Sequence, residues 1–185
     1  MAIRNLYLKN LAEQFEELGK SLNKITEGLT EEQFNTKPSE TSWSVGNCIS
    51  HLNATWDQYN YLISEAVLKN QNPSINNPDL YKPRYLMKMF TNMMEPPYKF
   101  KMKTFAQFVS NEKLSKQETI NKFNAGIEEA VKFIHASENV DIKKTIIVSP
   151  VSKFMKYQLG ELFPFLAAHA RRHIWQAENV KKIIS

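Results

Sequence analysis

One cysteine, Cys48, serves the whole of a 185-residue chain. No internal disulfide can form, which fits a protein expected in a reducing cytoplasm. Long apolar runs are missing as well: no stretch of about 18 apolar residues is present to span a bilayer. Near the start, Lys9, Glu13, Glu16 and Glu17 break up the apolar residues, so no secretory signal peptide is expected. Nor is there a long basic run. Lys and Arg number 24 against 19 Asp and Glu, a formal charge of +5. The pairs Lys143-Lys144, Arg171-Arg172 and Lys181-Lys182 and the spaced set Lys99, Lys101, Lys103 are scattered along the chain. A nucleic-acid footprint clusters on one face. The reading is solvated surface charge, with no nucleic-acid partner and no membrane partner. Internal repeats and low-complexity tracts are also missing.

What remains is an ordinary globular composition, 42% hydrophobic and 23% charged, at a length that suits one domain over residues 1–185. Helical periodicity dominates it. Leu11, Phe15, Leu18, Leu22, Ile25 and Leu29 recur in steps of four and three and mark a helix over about 3–29. After a loop with Pro38, Ser39, Thr41 and Ser42, Ser44 offers a hydroxyl to cap a second helix. That helix carries Val45, Ile49, Leu52, Trp56, Tyr59 and Ile63 and runs to about Lys69. Four Asn and two Pro between Asn70 and Pro78 end it. Ser115 with Glu118 reads as a capping box before a third helix with Ile120, Phe123, Ile127, Ala130 and Ile134 inside. The fourth runs from about Gln158 to Ile184, with Pro164 expected in or near its first turn, where a missing amide costs little. Four long single-stripe helices imply an all-α four-helix bundle with long connections.

Two connections are long. The segment 71–113 holds five of the eight prolines and many Met and aromatic residues, and a short helix near 84–94. It reads as packing over one side of the bundle, or as the wall of a substrate pocket. The second, 138–156, contains Thr145-Ile146-Ile147-Val148, whose β-branched run favours an extended piece.

The chemistry lies in the last helix. Its inward stripe is Leu162, Leu166, His169, His173, Ala177, Val180 and Ile184. His169 and His173 stand one turn apart where core residues belong, and imidazoles at that spacing chelate one metal ion. The HExxH zinc motif uses the same geometry; here Ala170 replaces its glutamate, so that motif's general base is missing. The bland reading is two hydrogen-bonded core histidines. A third ligand must come from elsewhere: His51, His135, Cys48 or a carboxylate. His51 sits at the flank of its helix's stripe. His135 lies near a helix C-terminus, where a dipole contact suits it. Cys48 suits plain core packing. Gln176, and less strongly Glu178 and Asn47, are placed to orient an imidazole.

Trp43-Ser44-Val45 leading to His51-Leu52, and the run His169-Ala170-Arg171-Arg172-His173-Ile174-Trp175-Gln176, resemble the helix-two and helix-four signatures of the DinB/YfiT-like family. The resemblance rests on these two short stretches and on the order of elements over nearly the whole chain. It implies a four-helix bundle with a divalent metal, zinc first and nickel second, held by His51, His169 and His173. Members of the family often dimerise, and some are thiol-dependent transferases or isomerases. By that resemblance the expectation is a metal-dependent thiol S-transferase or hydrolase, homodimeric, acting on a small-molecule thiol or other small substrate. Three His and an open position describe a catalytic site. The alternative is a non-enzymatic, metal-stabilised binding or stress-response module.

Overall fold

A computed structural model describes residues 4–97 and 113–184. Its elements, in order, are α1 (Leu6–Thr26), α2 (Glu31–Asn35), α3 (Val45–Lys69), α4 (Tyr85–Met94), α5 (Lys116–Ala136), a 3-10 turn (Ser137–Asn139), β1 (Ile146–Val148), β2 (Lys156–Gln158) and α6 (Leu159–Ile184).

The four long helices form the bundle. α1 and α3 each pack against both α5 and α6. Helices α1 and α3, consecutive among the long ones, therefore lie across a diagonal, as do α5 and α6. A bundle joined by tight turns puts consecutive helices side by side; here the α1–α3 and α5–α6 connections cross the bundle, whereas α3 and α5, joined by the longest connection, are neighbours. The core is strung on four aromatic rings, one from each helix. Phe163 meets Phe15 at 6.3 Å, Phe15 meets Trp56 at 5.6 Å and Trp56 meets Phe123 at 6.4 Å between centroids. All four are buried; Phe15, Trp56 and Phe123 lie in the stripes that periodicity predicts, and Phe163 lies beside Leu162, outside the predicted stripe of its helix.

The differences from the periodicity lie at the ends. α1 stops at Thr26 rather than near 29: Glu27 turns extended and Gly28 takes a φ of 75°. A further short helix, α2, then begins at Thr30, whose side chain and that of Gln33 complete a capping box. Five residues carry no periodicity to read, so the pattern misses it. α2 is held by Phe34, which is buried against Gly46: a Cβ on Gly46 would stand 2.7 Å from the Phe34 ring. Ser44 caps α3 as expected, and Asn47 returns the bond to the Ser44 amide at 3.1 Å. Ser115 forms only the forward half of the predicted box, its hydroxyl accepting from the Glu118 amide at 3.4 Å.

The extended piece at 145–148 is the first strand of a hairpin, Ile147 opposite Tyr157 with both buried. The expected short helix near 84–94 is α4, which lies on α6. At its start Arg84 donates to Glu161 through its backbone amide at 2.7 Å, Nε at 2.9 Å and Nη2 at 2.6 Å. At its end Glu95 accepts from Nε of Arg171 at 2.9 Å. Pro164 is not in the first turn of α6; it lies in the second, inside the helix, where it leaves the carbonyl of Gly160 without its helical donor. The hydroxyl of Tyr7 on α1 supplies that donor at 2.7 Å. Among the described residues no helix is long and apolar enough to cross a membrane.

Candidate metal centre

The histidine site lies in the seam between α3 and α6. Val45, Cys48, Ile49 and Leu52 turn the centre of the α3 stripe into the core. His51 then falls at its flank, as the helical wheel predicts. A bundle helix has two neighbours, however, and this flank faces α6. His51 and His173 are 6% and 7% exposed, and His169 is partly buried.

The three rings converge. Nε2 of His51 lies 3.2 Å from Nε2 of His169. Centroid separations are 5.1 Å for His51–His169, 4.4 Å for His51–His173 and 4.7 Å for His169–His173, with the rings edge to face. One ligand nitrogen from each falls within 4.8 Å of the others. Trp43, in the loop before α3, covers two of them. Its ring is stacked on His173 at 5.6 Å and tilted against His51 at 5.3 Å.

Electrostatics keep the His169 and His173 rings neutral. Burial pushes His169 down to about 3, with the neighbouring His51 and Arg172 adding to the effect. His173 is held well below its ordinary value, first by burial and then by His169, His51 and Arg172. The amide oxygen of Gln176 stands 3.1 Å from Nδ1 of His173. That oxygen only accepts, so Nδ1 carries the proton and Nε2 keeps its lone pair.

The DinB superfamily model matches residues 14–177. The chain belongs to the DinB superfamily. Among solved structures, this DinB chain is similar to YfiT from Bacillus subtilis, described as a probable metal-dependent hydrolase with an unusual four-helix bundle topology. The TM-score is 0.59 at 11% identity, over 98% of this chain and 89% of that one. The likeness is one of fold. No curated protein matches the chain.

The other candidate residues of this DinB protein are sorted by position. Gln176 reaches the site; Glu178 instead meets Lys182 at 3.1 Å on the surface. Asn47 belongs to the α3 cap. Cys48 is fully buried, its thiol pushed up by desolvation, and it packs in the core. His135 is exposed in the last turn of α5. Of the 71–113 segment, α4 is the part that lies along α6; Tyr98, Phe100, Met102, Phe105 and Phe108 fall outside the described residues.

One expectation of the DinB sequence is corrected here. The Arg171-Arg172 pair is not solvated surface charge. Arg171 pairs with Glu95, and Arg172 is 7% exposed and donates to the carbonyl of Met93 at 3.4 Å, at the end of α4. The signal was present in the spacing: Arg172 stands three residues after His169, on the same side of α6. Trp43 had no such signal, because it lies in a loop.

Proposed function

We propose that His51, His169 and His173 hold one divalent metal ion, zinc before nickel, and that the chain is a metal-dependent enzyme acting on small molecules. The observation that carries this reading is the convergence of three imidazole nitrogens within 4.8 Å.

The donor set fits such an ion. Zinc–nitrogen bonds of about 2.0–2.1 Å place two tetrahedral ligands roughly 3.3 Å apart. The nitrogens of His51 and His169 stand 3.2 Å apart already. An N–H···N hydrogen bond also has this length, but two facing nitrogens share only one proton, and a third neutral ring stands beside them. A ligand must be neutral to donate its lone pair, and burial keeps His169 and His173 so. Gln176 orients His173 in the manner of an outer-shell partner.

A three-His site leaves a position for an exogenous ligand. Bound there, the metal supplies Lewis acidity, which acidifies a thiol or water and polarises an oxygen. The protein's own part is to fix three converging rings, two of them held neutral by burial, to cover two with Trp43 and to add the nearby positive charge of Arg172. No carboxylate belongs to the cluster among the described residues. A thiol, with an ordinary pKa near 8.5, reaches its nucleophilic form with less help than water does. This supports thiol S-transfer as the first reading. Hydrolysis is the second, and the description of YfiT favours it.

The test is metal analysis of protein never exposed to chelator. About one ion per chain is expected, lost in His169→Ala. No stoichiometric metal, with His169→Ala unchanged, overturns the reading. Transfer of a small thiol to a chloro-bimane dye, set against hydrolysis of an activated ester, then separates the two chemistries.

A further inference from the structure

The β1–β2 hairpin presents its second face to solvent. Ile147 and Tyr157 point inward and are buried; Ile146 and Val148 point outward at 47% and 42% exposure, and Lys156 stands opposite Val148. At the turn Phe154 is 97% exposed and Met155 40%. This is not a loose loop that has failed to collapse. The Ser149 amide donates to the Met155 carbonyl at 2.8 Å, the Met155 amide to Ser152 at 3.0 Å and the Val151 amide to the Ser149 hydroxyl at 3.2 Å. The turn is held with its aromatic ring outward. Tyr85, 81% exposed, follows Arg84, whose guanidinium donates to the Lys156 carbonyl at 2.8 Å, so it starts beside the same hairpin.

The charge carried by the hairpin segment itself has one sign. From Ile142 to Gly160 the chain carries Lys143, Lys144, Lys153 and Lys156 and no Asp or Glu. All four lysines are exposed. Asp141 lies just outside and pairs with Lys144 at 3.6 Å.

We propose that this hairpin docks the protein onto an anionic lipid surface, Phe154 and its aliphatic neighbours entering the interface while the lysines meet the headgroups. Isolated apolar side chains among lysines suit a bilayer interface, where rings and methyls enter the acyl boundary and ammonium groups reach out to phosphate. A second copy of the chain would set the same lysines against one another. A nucleic acid would engage the lysines and stack on Phe154, but would leave Ile146, Val148 and Met155 without a counterpart. The lack of a spanning helix bears on crossing a membrane, not on lying against one. The proposal does not rest on the histidine site.

The experiment is co-sedimentation of the full chain with vesicles of phosphatidylcholine alone or mixed with phosphatidylglycerol. Binding is expected only to the mixed vesicles, weakening as salt is added. Lys153→Gln and Lys156→Gln should each lower the partition about fivefold, and Phe154→Ser roughly tenfold or more. All three positions are exposed, so the circular dichroism melt should not move. A Phe154→Trp variant should show a blue-shifted emission on the mixed vesicles. Equal sedimentation with and without phosphatidylglycerol overturns the proposal, as does sedimentation that Phe154→Ser leaves unchanged. So does binding of an oligonucleotide lost in the lysine variants, or a solution mass halved by Phe154→Ser.

Discussion

The hydroxyl of Tyr7 donates at 2.7 Å to the carbonyl of Gly160, the acceptor that Pro164 strands inside α6. One helix thus repairs another. The fit is close, because Tyr81 is tilted against Tyr7 at 5.2 Å between centroids and a Cβ on Gly160 would stand 2.9 Å from the Tyr81 ring. Tyr7→Phe removes the donor and leaves a buried acceptor, at a cost of about 1–3 kcal/mol. Pro164→Ala restores the missing amide, so Tyr7→Phe should cost less in that background. Urea melts of the four chains in the cycle measure the coupling, and additive effects would remove this account of Tyr7.

The four bundle helices and the paired histidines were legible because both are periodic signals: a stripe repeats many times, and His169 and His173 interrupt one. Tyr7 and Glu95 were not legible, and Trp43 was marked by the family resemblance but not by spacing. Each acts on a residue far away in the chain, and a partner across the fold leaves no mark on local spacing. His51 is the intermediate case. Its flank position was readable, but which neighbour that flank meets depends on α1 and α3 lying across a diagonal, which periodicity does not show; the family resemblance implied only that His51 joins His169 and His173. The start of α6 was legible to within a residue, about Gln158 against Leu159; what spacing does not show is that Pro164, in the second turn, leaves the Gly160 carbonyl to a donor from another helix.

Acid should destabilise the metal-free protein early. In the unfolded chain His169 takes a proton near its ordinary 6.5, whereas in the fold it resists until about 3. Between those values the unfolded state binds more protons, so stability is full above about pH 6.5 and falls as pH drops toward 3. His173 is depressed in the same direction and adds to the loss. Glu161 acts lower down. Burial would raise its carboxyl, but hydrogen bonds from the side chain and amide of Arg84 and the amide of Gln158 outweigh this and hold it below its ordinary range. That stability is present above the carboxylate range and lost beneath it. Thermal melts of chelator-treated protein should therefore fall from about pH 7 to about pH 5. A flat melting temperature over that interval would contradict the buried, neutral imidazoles.

Gln176 tests whether the hydrogen bond to His173 matters to the site or only to packing. Gln176→Leu keeps much of the side chain's volume and removes the acceptor that fixes the Nδ1 proton. Metal affinity, measured by competition with a chromophoric chelator, should fall 10–100-fold. Gln176→Glu retains an acceptor and should recover much of that loss. Equal affinity in the wild type and Gln176→Leu would assign the contact to packing.

Trp43 should report occupancy of the site directly. Its indole lies nearly parallel to His173, 21° between planes, and also touches His51. Of the other tryptophans, Trp56 is packed between Phe15 and Phe123 in the core. An open-shell ion such as nickel or copper held by these imidazoles accepts energy or an electron from an adjacent excited indole, whereas zinc, with a filled d shell, does not. Nickel should therefore quench part of the tryptophan emission and saturate near one equivalent per chain, and zinc added first should prevent it. Trp43→Phe should remove most of the quench without reducing metal content, and His169→Ala should remove the quench together with the metal. A quench that survives Trp43→Phe but is lost in His169→Ala would assign it to Trp175, two residues from His173 on α6, whereas a quench that survives His169→Ala would place the bound ion elsewhere in the molecule.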